Sequence, residues 1–265
     1  MRSASENDGG VEALQRIEAA LAAAVEVLQG FRADTVRVDH KPGAGPVTEA
    51  DRAVNDVLAR ILPAEGEGWL SEESRDDPRR LEKRRVWAVD PLDGTREFVA
   101  GIPEWCVSVG LVEDGRAVAG GVANPATGEV FLGSLASGVT YNGRRARVSG
   151  RQSLPGAVVL ASRTEVDRGE WARFRGAPFK VRPVGSIAYK LALVAAGLAD
   201  ATWTLVPKHE WDVAAGVALV LASGGSVHTI DGSILRFNQP LPRLTGLVAE
   251  TPELLPAVKR ELGLR

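Results

Sequence analysis

The stretch Trp87-Ala-Val-Asp90-Pro-Leu-Asp93-Gly-Thr95-Arg-Glu-Phe98 constrains this chain more than any other. Val86 to Val89 is a β-branched and aromatic run of the kind that fills a buried strand. It breaks off at two carboxylates three apart, with a proline between them and Gly94-Thr95 behind. A strand that ends this way is expected to deliver Asp90 and Asp93 into one crevice. The Gly94 and Thr95 amides can then open a helix whose unpaired N–H groups point at an anion. Clustered carboxylates need cations, and an anion-accepting helix start beside cations suggests phosphate.

At 265 residues the chain can form one large domain or two modest ones sharing an interface. A composition 45% hydrophobic and 25% charged is that of a globular protein, and a net charge of -2 disfavours bulk electrostatic binding to nucleic acid or membrane. The single cysteine, Cys106, excludes an intrachain disulfide, fits a reducing compartment and, lying in an apolar alternation, reads as an inert buried thiol. Met1 to Asp8 lacks the basic-then-apolar order of a signal peptide, and no apolar run is long enough to cross a bilayer. A cytoplasmic protein is expected. The basic cluster Arg79 to Arg85 is flanked by acids and carries no aromatics, which favours a solvated face over a nucleic-acid surface.

Residues 1–9 read as a frayed polar tail. From Val11, the apolar positions Leu14, Ile17, Leu21, Val25 and Leu28 recur at helical spacing. After a loop over His40 to Pro46, Thr48 or Asp51 can start a helix over Glu49 to Leu62. Past the central strand, Trp105 to Val112, Arg116 to Val122 and Glu129 to Leu132 predict strands joined by turns at Asp114-Gly115 and Thr127-Gly128. Gly138 to Gly143 followed by Arg147-Val148 predicts one more hairpin. The character then changes. A strand at Ala157 to Ala161, a helix at Ile187 to Ala199, a strand at Ala201 to Leu205 and a helix at Val213 to Ser223 predict an α/β layer. A link at 148–156 divides the chain into an α+β half, 1–148, and an α/β half, 149–265.

Three more acidic places join Asp90 and Asp93: Glu72-Glu73, Asp51, and Asp212 in Trp211-Asp-Val-Ala-Ala-Gly216. Singly, Asp51 and Asp212 suit a helix N-cap or first turn, where a carboxylate stabilises by about 0.5–2 kcal/mol. Glu72-Glu73 suits a solvated loop. Together they are hard oxygen ligands in a chain with only three histidines and one cysteine, a donor set for Mg²⁺ rather than zinc.

In order and spacing, Val47-Thr-Glu-Ala-Asp51, Ser71-Glu-Glu-Ser74, Asp90-Pro-Leu-Asp-Gly-Thr95 and Trp211-Asp-Val-Ala-Ala-Gly216 resemble the inositol monophosphatase superfamily along nearly the whole chain. The resemblance implies an α-β-α-β-α sandwich and a Mg²⁺-dependent phosphomonoesterase using two or three ions. By the same resemblance, Glu72, Asp90 and the Leu92 carbonyl would hold one metal. Asp90, Asp93 and Asp212 would hold a second, and Glu72 would help with a third. Thr95, with Asp51 and Glu73, would orient and deprotonate the attacking water, while the Gly94 and Thr95 amides hold phosphate oxygens. Such relatives are commonly lithium-inhibited homodimers, and both properties are expected here. Where the family often has glycine before Glu-Glu, this chain has Ser71.

Substrate choice falls to other residues. Inositol monophosphatases usually carry a glutamate on the strand before Trp-Asp to bind a sugar hydroxyl; here Thr204 or Leu205 stands in its place. Arg85 to Phe98, Glu210-Trp-Asp212 and Asp231 to Asn238 resemble instead the 3′(2′),5′-bisphosphate nucleotidase (CysQ-like) branch. In Gly185-Ser186-Ile-Ala-Tyr-Lys190, a lysine stands where inositol phosphatases tend to have Asp or Asn. Lys190, beside Ser186, either faces a second phosphate or is a solvated helix residue. Arg182, Lys208 and Arg236 are weaker candidates for that cation. His209 and Glu210 would line the pocket rim, and Lys41 resembles a family lysine near the metals. The expected reaction converts 3′-phosphoadenosine 5′-phosphate, or a similar nucleotide, to AMP and phosphate. Inositol-1-phosphate or a sugar phosphate is the alternative substrate; a non-catalytic binding protein is a remote one.

Overall fold

The computed structural model describes residues 4–40, 46–231, 233 and 235–264. Helix α1, Ala4–Leu28, follows the predicted stripe, with Ile17, Ala20, Leu21 and Ala24 buried. It begins inside the stretch expected to be a tail, because lengthening a nucleated helix costs far less than starting one. Strands β1, Val38–His40, and β2, Pro46–Thr48, pair antiparallel; Lys41 and its loop neighbours up to Gly45 lie outside the described residues. Thr48 caps α2, Glu49–Ile61.

A parallel pair, β3 (Gly68–Ser71) and β4 (Arg85–Asp93), begins a seven-stranded sheet. The short helix α3, Thr95–Val99, leads into an antiparallel meander of β5 (Cys106–Glu113), β6 (Arg116–Asn124), β7 (Glu129–Ser134), β8 (Gly138–Tyr141) and β9 (Arg144–Ala146). Asn142 (φ 47°) and Gly143 (φ 76°) are both left-handed, which makes a two-residue turn. The returning strand therefore starts at once, at Arg144, and not at the expected Arg147. Within the basic cluster Arg79 and Arg84 are exposed as expected, but Arg80 is 2% exposed, because Asp76, the Asn238 side chain and the Gln239 carbonyl enclose its guanidinium.

The second half runs β10 (Val158–Ser162), α4 (Arg163–Asp167), β11 (Lys180–Val184), α5 (Ile187–Ala195), β12 (Ala201–Thr204), β13 (Lys208–His209) and α6 (Glu210–Ala222). It closes with β14 (Ser226–Thr229), β15 (Arg243–Leu244), β16 (Leu247–Glu250) and α7 (Leu255–Leu262). The second sheet has the order β11-β10-β12-β16-β14. Helix α5 stops short of the expected Ala199 because Gly197, at φ 71°, takes a left-handed terminating conformation. Helix α6 starts earlier than expected, which places Asp212 inside its first turn.

Five layers result. Helices α1 and α2 cover one face of the first sheet, burying Leu58, Trp87, Val89 and Val109. Helices α5 and α6 lie between the sheets, where Phe131, Leu191, Val217 and Leu247 share one core. Helices α4 and α7 close the far side around Trp171, Phe174 and Trp203. The α-β-α-β-α sandwich is the fold, and no helix among the described residues is long and apolar enough to cross a membrane. Cys106 is buried in it.

Small residues set the depth of the middle layer. A Cβ on Gly120 would meet the Ala215 carbonyl oxygen at 2.4 Å, and one on Gly110 the Ala215 nitrogen at 2.7 Å. Helix α6 thus rests on bare sheet backbone. We propose that the halves 1–148 and 149–265 meet at the segment joining the sheets, with α6 returning from the second half to lie on the first sheet.

Candidate active site

Strand β4 is irregular at its carboxyl end. Asp90 pairs with Ser108 and Asp93 with Cys106, so β4 advances three residues where β5 advances two. In a regular strand, residues three apart face opposite sides. The extra residue of this bulge turns Asp93 onto the face of Asp90. Gly94 then takes φ 98°, and a Cβ there would meet the Glu104 carbonyl oxygen and Trp105 at 3.0 Å, so glycine is needed to turn into α3.

Glu72 arrives from the end of β3, its amide donating to the Val89 carbonyl at 3.3 Å. Ser71 Oγ donates to Asn55 Oδ1 of α2 at 2.7 Å and accepts from the Glu73 amide at 3.3 Å; Ser74 Oγ reaches the same Asn55 oxygen at 3.2 Å. Ser71 thereby ties the acidic loop to α2. The sequence reading missed Asn55, although a buried asparagine beside Val54 and Leu58 on an apolar helix face was a signal.

Ligand atoms of Glu72, Asp90 and Asp212 all lie within 4.8 Å of one another. Burial, then the charges of Glu72, Asp93 and Asp212, pushes the Asp90 carboxyl well above the usual carboxylate range. Asp212 moves the same way, from burial, Asp93 and Glu72. Acids so placed repel one another when ionised, and a divalent cation would relieve the repulsion. An all-carboxylate donor set fits Mg²⁺.

Each aspartate commits one oxygen to the scaffold. Asp212 Oδ2 accepts from the His209 amide at 2.9 Å, and Asp51 Oδ2 from the Thr48 amide at 2.7 Å, both as helix capping boxes. Asp90 Oδ1 accepts from the Leu92 amide at 3.0 Å. Asp93 stands beside the trio, its Oδ2 accepting from Ser186 Oγ (2.6 Å) and the Ala188 amide (2.7 Å). Thr95 Oγ1 lies 3.1 Å from both Asp51 Oδ1 and the Leu92 carbonyl oxygen. Asp51 is raised chiefly by burial; the nearby charge of Glu73 adds to this, and bonds from Thr48 and Thr95 oppose it. Asp51, Glu73 and Thr95 are thus brought together.

On the substrate side the residues part company. Lys190 is 2% exposed and donates to the Ser186 (3.0 Å) and Val184 (3.2 Å) carbonyls; burial lowers its pKa to about 8. It is neither solvated nor open to a phosphate, because α5 lies between two sheets. Ser186, at a left-handed φ of 52°, caps α5 through the Tyr189 amide and holds Asp93 rather than facing outward. Glu210 is 1% exposed with its oxygens taken by the Asn238 (2.6 Å) and Gln239 (2.9 Å) amides, so it clamps a loop and does not line the rim. His209 is exposed and stacks on Trp211, ring centroids 4.3 Å apart and 2° from parallel. Lys208 is half-buried and close enough for its charge to act on Asp212, whereas Arg182 and Arg236 are exposed. Thr204 is buried and donates to Glu165 Oε1 at 2.6 Å; Leu205 is half-buried.

Residues 11–262 match the model of the inositol monophosphatase family. The chain is 33% identical to an inositol-1-monophosphatase of Mesorhizobium japonicum, over 94% of this chain and 96% of that one. Extragenic suppressor protein SuhB of Bartonella henselae superposes with a TM-score of 0.79 at 29% identity, covering 94% of this chain and 97% of its own. CysQ of Bacteroides thetaiotaomicron, a bacterial member of the same family, superposes at 0.75 with 25% identity, covering 90% and 96%. The likeness spans the family and does not single out its CysQ branch.

Proposed function

The chain belongs to the inositol monophosphatase family, and from that premise we propose that it hydrolyses phosphate monoesters with Mg²⁺ held by Glu72, Asp90 and Asp212. The carrying observation is the 4.8 Å clustering of those three acids beside the Thr95–Asp51 hydrogen bond. Mg²⁺ at such a site supplies water activation and neutralises charge developing in an in-line phosphoryl transfer. The chain's own residues do the rest. Thr95 orients the attacking water through its hydroxyl and relays a proton to Asp51, whose basicity the Glu73 charge increases. The Gly94 and Thr95 amides receive phosphate oxygens. Asp93, fixed by Ser186 and Ala188, and the Leu92 carbonyl complete the ligand shell. No covalent nucleophile is required. A purely binding role would leave this acid set without a purpose.

We assign the substrate to nucleotide bisphosphates such as 3′-phosphoadenosine 5′-phosphate, yielding AMP and phosphate. Thr204, bonded to Glu165, or the half-buried Leu205 stands where inositol monophosphatases usually carry a hydroxyl-accepting glutamate. Lys208 takes over from the buried Lys190 as the cation for a second phosphate. The His209–Trp211 stack offers an aromatic face to a base. The rival is inositol-1-phosphate or a sugar phosphate, favoured by the likeness to the Mesorhizobium inositol-1-monophosphatase. A cytoplasmic, lithium-inhibited homodimer belongs to the same proposal.

The test is phosphate release with Mg²⁺ across nucleotide bisphosphates, inositol-1-phosphate and fructose-1,6-bisphosphate. A kcat/KM roughly tenfold or more in favour of the nucleotide is expected. Equal or better turnover of inositol-1-phosphate would give the site to the rival. Lys208→Ala should raise KM for bisphosphates by a larger factor than for simple monophosphates, which feel only its charge on Asp212.

A further inference from the structure

We propose that Glu210 and Arg80 are positioning residues for the metal cluster, locking the entry of α6 to the segment downstream of the Glu72 loop and so holding Asp212 at its distance from Glu72 and Asp90. The proposal rests on the reading that this cluster takes a divalent cation.

The three carboxylates arrive on three separate segments. The pairing of β3 with β4 fixes Glu72 against Asp90. Asp212 lies in the first turn of α6, outside both large sheets, and the pairing that leads into that turn is the two-residue one of β13 with β15, His209 opposite Arg243. Glu210 begins that helix. Its buried carboxylate accepts from the Asn238 and Gln239 amides, and its own amide donates to the Pro242 carbonyl at 3.0 Å.

Arg80 meets the same two residues from the other side. Its Nη1 donates to Asn238 Oδ1 at 2.7 Å, its Nη2 donates to the Gln239 carbonyl at 3.0 Å, and Asn238 Nδ2 donates to the Arg80 carbonyl at 3.0 Å. Asp76 holds the remaining edge of the guanidinium at 2.6 and 2.9 Å. Asn238 adopts a left-handed φ of 58°, a conformation asparagine tolerates, while its amide serves Glu210 and its side chain serves Arg80. Removing Glu210 leaves the Asn238 and Gln239 amides without their acceptor, and removing the guanidinium leaves Asp76 and the Asn238 side chain without their donor, so either change loosens the 238–239 segment that joins the two ends. One end of this clamp is the helix that carries Asp212, and the other is the turn Pro78–Glu82, downstream of the Glu72 loop.

Mn²⁺ titration of the chelator-stripped protein, followed by the paramagnetic resonance of the free ion, tests this at a temperature where circular dichroism shows each variant folded. Glu210→Ala should raise the Mn²⁺ Kd roughly 10–100-fold, the usual effect of losing a group that orients a metal ligand. Val258→Ala, in the distant α7 core, should lower Tm but keep the wild-type Kd. If Glu210→Ala does not fold, Arg80→Lys is read the same way, since an ammonium cannot span Asp76, Asn238 and Gln239 together. A Glu210→Ala Kd within about twofold of wild type, or equal weakening in Val258→Ala, would overturn the proposal. Wild-type protein that binds no Mn²⁺ would instead overturn the metal reading itself.

Discussion

Asp90 and Asp93 stand three residues apart on one strand yet face the same side of the sheet, because β4 takes an extra residue between its pairings with Ser108 and Cys106. Asp93→Asn keeps that bulge and removes one charge. Turnover should fall roughly 100-fold or more, about 3 kcal/mol of transition-state stabilisation. The metal-free protein should melt at a higher temperature, since Asp93 repels both Asp90 and Asp212. Unchanged turnover would refute its place among the ligands.

The raised acids set the sign of a pH effect. Asp90 and Asp212 hold protons more tightly folded than unfolded, so the stability they contribute is present below the ordinary carboxylate range and is lost as pH rises through their folded values. Metal-free protein should therefore gain more from Mg²⁺ at pH 7 than at about pH 4.5. Thermal melts with EDTA and with Mg²⁺ across a pH series measure the gap. A gap that does not widen with pH would contradict the assignment.

The Glu73 charge raises Asp51. In Glu73→Gln the acidic limb of the kcat/KM profile should move to lower pH. Thr95→Ala should lose roughly 100-fold in kcat, whereas Thr95→Ser keeps the hydroxyl and most of the rate. A profile that does not move would remove Asp51 as the proton acceptor.

Gly120→Ala places a methyl 2.4 Å from the Ala215 carbonyl oxygen and must lift α6 from the sheet. A loss of about 1–3 kcal/mol is expected, read as a lower urea midpoint. An unchanged midpoint would mean that α6 is not seated by close packing.

Much of the site was legible because its acids sit in short contiguous motifs. The helix-capping reading of Asp51 and Asp212 and the catalytic one turned out to be compatible: a capping box fixes one oxygen and so aims the carboxylate. Lys190 was not legible, because helical spacing cannot distinguish a solvated face from one buried between two sheets. Glu210 read as a pocket-rim residue and Arg80 as part of a solvated basic face because their partners, Asn238 and Gln239, are remote in sequence. Strands β11, β14 and β16 escaped for a related reason. They are short, β11 is largely exposed, and their pairing partners lie far along the chain.

Phosphate release from chelator-stripped protein as Mg²⁺ is added back, for wild type and Asp90→Asn, tests the central claim most directly. The expected result is no release above background without Mg²⁺, a saturable rise in the wild type, and none in the variant. Full turnover by the stripped protein, or a wild-type Mg²⁺ response in Asp90→Asn, would contradict it.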